Sequence, residues 1–169
     1  MLIIGAGGSG KTTLARRLAE RTGLPLIHLD QLYWHSGWQA TPKEAWQSKV
    51  AELIAEETWI MDGNYGGTLD VRLEAADTII FLDVPRVQSL TRVIRRGLRY
   101  YGRSRPDLPA GCPEQLRWEF LVWVWTYPKR RRPGILQRLG ALAQRKQVHI
   151  LRTQREIESF LEKLGSDSN

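Results

Sequence analysis

The stretch Gly5-Ala6-Gly7-Gly8-Ser9-Gly10-Lys11-Thr12 constrains this chain more than any other. It fits the pattern G-x-x-x-x-G-K-[ST], the phosphate-binding loop. Glycines let consecutive backbone N–H groups turn toward one phosphate, and the helix that follows adds its positive end. Lys11 is expected to reach β- and γ-phosphates, and the Thr12 hydroxyl to bind Mg²⁺. Gly5, Gly7, Gly8, Ser9, Gly10, Lys11, Thr12 and Thr13 are therefore the candidate nucleotide-binding residues. The context agrees. Leu2-Ile3-Ile4 is a short apolar strand before the loop, and Leu14, Ala15, Leu18 and Ala19 give helical spacing up to Thr22. Gly23 then stops the helix.

The same alternation continues. Strands are expected at Pro25–Leu29, Thr58–Met61, Thr78–Leu82 and Gln147–Leu151. Helices are expected from Thr41 to Glu57, near 68–75, over 86–101, near 113–127 and 134–145, and after Thr153. Thr41-Pro42-Lys43-Glu44 and Thr153-Gln154-Arg155-Glu156 both read as capping boxes. Most of the strands are apolar throughout, which predicts a parallel sheet covered on both faces. The expected fold is α/β, a P-loop NTPase three-layer α/β/α arrangement with a five-stranded parallel sheet. Residues 1–169 read as one domain, with a helical, Arg- and Trp-rich lid-like insertion over about 102–132.

In such sheets ligands sit beyond the carboxyl ends of the strands. Three strands end in aspartate: Asp30, Asp62 and Asp83. Phosphoryl transfer needs a strand-end carboxylate for the metal and a group that orients or deprotonates the acceptor. Asp62, with Thr12, is the candidate metal residue, and Asp30 the candidate for the acceptor. Asp83-Val84-Pro85 precedes a helix, so Asp83 reads as structural. His28 lies between apolar neighbours and is expected in the core or behind a site residue.

Charge raises a separate question. Residues 86–132 hold 12 of the 25 Lys and Arg but only three acids, Asp107, Glu114 and Glu119. The remainder has 13 basic and 15 acidic residues, so one segment carries the whole excess behind the net charge of +7. Nucleic acid is one partner for such a segment, and the phosphates of a small nucleotide are another. On a helix from 86, Val87, Leu90, Val93, Ile94, Leu98 and Tyr101 form an apolar stripe. Arg92, Arg95, Arg96, Arg99 and Arg103 recur at three- and four-residue steps, on an expected phosphate-facing side. Arg105 and Lys129–Arg132 lie beyond that helix and are the residues for which DNA competes. Trp118, Phe120, Trp123, Trp125 and Tyr127 read as a packed or lid helix, whose Trp and Val residues could also form a dimer interface. Trp34, Trp38 and Tyr65 could stack on a ring of the acceptor. No apolar run approaches the roughly 20 residues of a membrane span. The start lacks the pattern of a signal peptide. Cys112 is the single cysteine, which excludes an internal disulfide. A cytoplasmic monomer or homodimer is expected.

GAGGSGKT, Asp62-Gly63 and FLDVPRVQSLTRVIRR together resemble the adenylate-kinase-like family of nucleoside and nucleotide kinases. That resemblance implies that Arg92 packs on the base of ATP and Arg96 contacts phosphates, both as catalytic residues with Lys11, Asp30 and Asp62. HLDQLYW, WIMDGNYGGTLDVRL and FLVWVWTYPKRRR are more closely similar to bacterial topology-modulation-protein-like P-loop kinases, over almost the whole chain. Adenylate kinases carry an arginine for the monophosphate soon after the third strand. Here that stretch reads Asp62-Gly63-Asn64-Tyr65-Gly66, without one. Arg72 stands in at a different spacing. Asp30, Trp34, Asn64, Tyr65, Arg72 and Arg99 are the candidate acceptor-binding residues. The expected activity is transfer of the γ-phosphoryl of ATP, with Mg²⁺, to a small acceptor: a nucleoside, nucleotide or related metabolite. The alternative is a nucleotide-dependent DNA-binding ATPase.

Overall fold

A strand that is apolar on both faces must lie between two layers of helix. The structure, a computed structural model, describes residues 1–103 and 108–166. In chain order its elements are β1 (Leu2–Gly5), α1 (Lys11–Thr22), β2 (Leu26–His28), α2 (Leu29–Tyr33), β3 (Trp34–His35), β4 (Gln39–Ala40), α3 (Lys43–Ala55), β5 (Ile60–Asp62), α4 (Leu69–Ala75), β6 (Thr78–Leu82), α5 (Arg86–Arg99), α6 (Trp118–Arg130), α7 (Arg132–Leu142), β7 (Gln147–Leu151) and α8 (Gln154–Ser166). A single 3-10 turn, Gly66–Thr68, precedes α4.

The main sheet has the order β2-β5-β1-β6-β7 and every pairing in it is parallel. Successive residues of β1 serve opposite layers. Leu2 and Ile4 join Met61, Ile79 and Phe81 under Trp46 and Val50 of α3, Leu73 of α4 and Leu139 of α7. Ile3 joins Ile60, Ile80 and Leu82 under Leu14 and Leu18 of α1 and Ile157 and Leu161 of α8. This is the P-loop NTPase α/β/α arrangement. β1 lies between β5 and β6, so the loop after Gly5 emerges beside Asp62, with Ile3 paired to Asp62 and Gly5 to Leu82.

Several local expectations fail for identifiable reasons. Thr41 does not cap α3; its hydroxyl donates to Tyr33 O at 2.7 Å and lies 3.0 Å from His35 Nε2, which closes the β3–β4 hairpin instead. α2 and that hairpin fill the stretch between β2 and Thr41. The Thr153 box forms: Thr153 Oγ1 accepts from Glu156 N at 3.2 Å, and Glu156 Oε2 accepts from Arg152 N at 2.6 Å. The helix expected near 113–127 begins only at Trp118. On α5 only one residue of the expected apolar stripe, Val93, is fully on the buried face. Val87 and Leu98 are 62% and 67% exposed, while Ser89, Val93 and Gly97 are buried. Small residues win there because the partners come close. A Cβ on Gly8 would stand 2.3 Å from Ser89 O, and one on Gly97 would stand 2.3 Å from Leu116 Cδ2.

Candidate active site

The phosphate loop runs from the buried end of β1 into the first turn of α1. Gly8 and Gly10 take φ values of 76° and 103°, a region side-chain-bearing residues avoid. Beyond the strand ends opens a cleft of about 890 Å³. Gly7, Gly8, Gly10, Lys11, Thr12 and Thr13 line one end, with Asp62, Asn64, Arg92 and Arg96 beside them. Asp30, Trp34, Trp38 and Tyr65 line the other end, and Glu114, Arg117, Phe120 and Trp123 come over the top.

Lys11 is folded onto its own loop, donating to Gly5 O at 3.0 Å and Ala6 O at 2.9 Å. Burial pushes its pKa down, while the charges of Asp62 and Asp30 pull it back up and Arg96 lowers it further. All three therefore act on one ammonium group. Arg92 donates to Ser9 O at 3.2 Å, which fixes α5 to the loop. Arg96 Nε lies 3.5 Å from Glu114 Oε2, a carboxylate buried under the covering segment.

The two aspartates of the cleft are held differently: Asp62 ends β5, whereas Asp30, expected at a strand end, is the second residue of α2 because the chain turns helical directly after His28. Asp62 is buried, and its Oδ1 lies 2.7 Å from His28 Nδ1 on the neighbouring strand. Asp30 accepts a 2.6 Å hydrogen bond from the Tyr65 hydroxyl. Burial first, and then the charge of Asp30, push the Tyr65 pKa upward, so this hydroxyl stays protonated and donating. Asn64 Oδ1 accepts from Gly5 N at 3.3 Å and ties the β5 exit to the loop. Asp83 is outside the cleft. It is bound by Arg132, at 2.7 and 2.9 Å, and by Arg152 at 3.3 Å, the structural role expected of it.

Four expected arginines among the described residues are elsewhere. Arg72 is fully buried behind the β5 exit and donates to Gly63 O, Asn64 O, Tyr65 O and Thr68 O at 2.8–3.2 Å. It shapes the loop that carries Asn64 and Tyr65, and it does not reach the cleft. Burial lowers its pKa to about 10. Arg99 lies two helical turns beyond Arg92, exposed, with its guanidinium 5.7 Å from the Tyr100 ring. Arg95 is rotated about 100° from Arg96 on α5 and points to solvent. Arg103 is exposed as well, and Arg105 lies outside the described residues.

Sequence reasoning missed Arg16, Glu114, Gln115 and Arg117. Arg16 follows from α1 periodicity. Glu114 had only its rarity as a signal, one of three acids in a strongly basic segment.

A second set of contacts closes the far end. Gly37 N donates to Gly111 O at 2.9 Å, Trp38 Nε1 to Pro113 O at 3.0 Å, and Cys112 Sγ to His35 O at 3.1 Å. The β3–β4 hairpin is thereby tied to the segment before α6. At the other end, a Cβ on Gly7 would stand 2.6 Å from Phe120 Cζ, so α6 rests directly on the phosphate loop.

No protein-family model matches the chain, and no curated protein does. Among solved structures, the chain is similar to a shikimate kinase from Bacteroides thetaiotaomicron, with a TM-score of 0.56 and 18% identity over 99% of this chain and 96% of that one. It also matches a sugar kinase from Janibacter sp. HTCC2649, with a TM-score of 0.49 and 21% identity over 99% and 90% of the two chains. At such identities the likeness to the shikimate kinase is one of fold.

Proposed function

We propose that the chain is a phosphotransferase that moves the γ-phosphoryl group of Mg-ATP to a hydroxyl of a small acceptor. One observation carries the reading. The phosphate loop, the carboxylates of Asp30 and Asp62, and Arg92 and Arg96 all line a single covered cleft of about 890 Å³. That is the size of a small-molecule site. The likeness in fold to a shikimate kinase agrees with this reading.

The residues divide the work. The loop N–H groups and the α1 N-terminus hold the phosphates. Lys11 leaves the carbonyls of Gly5 and Ala6 for the phosphate oxygens. Asp30 accepts the proton of the acceptor hydroxyl as that oxygen bonds to phosphorus and the bond to the ADP oxygen breaks. Tyr65 orients Asp30 through its 2.6 Å hydrogen bond. Arg92 and Arg96 neutralise charge that builds on the transferred group, a contribution of about 10³-fold or more for arginines so placed. Thr12 and Asp62 both present hard oxygens to the cleft, the donor type Mg²⁺ takes, and His28 holds Asp62 in place. When bound there, Mg²⁺ supplies charge neutralisation between the phosphates. The segment over about 102–132 serves as the lid of a single domain. The proposal carries with it a cytoplasmic location.

A second reading, nucleotide-dependent DNA binding, rests on the exposed cations Arg95, Arg99, Arg103 and Lys129–Arg131. One experiment separates the two. ADP release from Mg-ATP is followed across nucleosides, nucleotides and other hydroxyl compounds, with duplex DNA and water in parallel. A rise with a small acceptor that Lys11→Ala abolishes, while the fold is retained, supports the phosphotransferase. A rise only with DNA, steeply weakened by salt, transfers the arginines to nucleic acid. Full activity of Lys11→Ala would overturn the site assignment.

A further inference from the structure

Two arginines one turn apart on α5 line the cleft, and different parts of the chain hold them. Arg92 donates to Ser9 O at 3.2 Å and so is fixed to the phosphate loop. Arg96 is held from the covering segment: its Nε lies 3.5 Å from Glu114 Oε2, and Glu114 lines the cleft as well. Arg95 and Arg99 of the same helix are exposed.

Glu114 is itself fixed from three sides. Its N–H donates to Arg103 O at 2.9 Å, and its carbonyl accepts from Gly102 N at 3.3 Å, just past the end of α5. Two residues on, Leu116 fills the space that Gly97 leaves open on α5. Just before it, Gly111 O and Pro113 O accept from Gly37 N and Trp38 Nε1, and Cys112 Sγ donates to His35 O. The segment is thus seated on α5 and on the β3–β4 hairpin at once, with the Glu114 carboxylate between the two and only 5% of the residue exposed.

Burying a carboxylate beside a guanidinium adds little stability, because both groups give up water. The ion pairs that brace this fold are shorter and two-pronged: Arg132 to Asp83 at 2.7 and 2.9 Å, and Arg17 to Glu158 at 2.7 and 2.6 Å. What a fixed carboxylate supplies to a cleft arginine is direction. A free arginine side chain carries about 2 kcal/mol of rotamer entropy. One already held in place has less of it to lose when charge builds on the phosphoryl group.

We infer that Glu114 is a positioning residue for the transfer step, its carboxylate aiming the Arg96 guanidinium at the transferred phosphoryl group. This inference rests on the phosphotransferase reading above.

The test uses the full chain. ADP release from Mg-ATP is followed with a pool of the nucleosides, nucleotides and other hydroxyl compounds named above, and binding of a fluorescent ATP analogue is measured separately. Wild type, Glu114→Gln, Arg96→Gln and the double variant are compared below their denaturation midpoints. The expected result is a rate at saturating Mg-ATP lower by roughly 10- to 100-fold in Glu114→Gln, within the effect of an arginine so placed, with the KM for Mg-ATP and the analogue affinity within about 3-fold of wild type. A residue that acts through Arg96 has nothing left to act on once Arg96 is gone. In the Arg96→Gln background, Glu114→Gln is therefore expected to change the rate by less than about 2-fold. An unchanged rate in Glu114→Gln overturns the inference. So does a loss that recurs in full on top of Arg96→Gln, which would make Glu114 a brace of the covering segment, or a loss confined to KM. If Glu114→Gln does not fold, Glu114→Asp, which draws the charge back by one methylene, takes its place with the same outcomes. A wild-type chain that binds the analogue but releases no ADP with any compound overturns the phosphotransferase reading, and this inference with it.

Discussion

Arg72 shows how one side chain is assigned by its hydrogen bonds. A guanidinium carries five donors in a fixed fork and never sheds its charge cheaply, so burying one requires acceptors on every side. Four main-chain carbonyls supply them here. Removing the fork takes a donor from each of those carbonyls, of which Tyr65 O keeps Thr68 N at 3.1 Å. Arg72→Met is therefore expected to lower stability by about 3 kcal/mol. The check is the denaturation midpoint, read beside the acceptor KM of the folded protein. A large loss of midpoint with KM nearly unchanged marks Arg72 as a loop brace; a raised KM with full stability would return it to the acceptor. His28 works on the same scale. It cannot touch an acceptor, yet it fixes the carboxylate of Asp62 from behind.

Among the elements, α5 and α6 are placed by how closely backbones approach, not by how much apolar area they hide. Gly8 meets the carbonyl of Ser89, Gly97 admits Leu116, and Gly7 admits Phe120. Only because α5 lies this near the loop do Arg92 and Arg96 enter the cleft. The price is that Val87 and Leu98 of α5 and Trp118, Val122 and Trp125 of α6 face outward. On the opposite side, α1 is braced against α8 by a two-pronged ion pair, Arg17 to Glu158 at 2.7 and 2.6 Å. Hydrogen bonds from Arg17 first, and from Gln154 second, push the Glu158 pKa from 4.5 to about 2. A carboxylate with a lowered folded-state pKa stabilises above its unfolded pKa, and this contribution fades as pH falls toward the folded value. Glu158→Gln is therefore expected to lower Tm at pH 7. The gap between the two proteins should narrow between about pH 4.5 and 2 and close below that. High salt at pH 7 should narrow it too, because the pair is exposed. A gap independent of pH would mean that the side chain matters for packing and not for charge.

At the level of the whole molecule, the hairpin that carries Trp34 and Trp38 is tied to residues 111–113, more than seventy positions away in sequence. α6 meanwhile rests on the phosphate loop. The cleft is thus closed from two directions by one covering segment. For the phosphotransferase proposed above, such closure would keep water from competing with the acceptor for the phosphoryl group. Trp38→Phe removes the bond to Pro113 O and keeps the ring. It is expected to raise ATP hydrolysis without acceptor several-fold relative to transfer, read as ADP release with and without acceptor. An unchanged ratio would show that this tie does not govern access of water.

The phosphate loop, the five parallel strands, most of the helices between them, Asp62 and Asp83 at strand ends and the cap at Thr153 were legible in the sequence. All of these follow from rules that act within a few residues: a backbone that must turn, a period of apolar side chains, a hydroxyl reaching the next turn. Tertiary structure alone decided which arginines meet the cleft. The periodicity of α5 predicted an apolar stripe of which only Val93 is buried, and could not tell that the small residues Ser89 and Gly97 would be pressed inward beside it. It likewise decided that Thr41 closes a hairpin and caps nothing, that Arg72 is consumed by carbonyls, and that Glu114 takes Arg96. Each of these outcomes depends on which distant groups arrive within hydrogen-bonding distance. That distance is set by the packing of whole elements, and no local pattern encodes it.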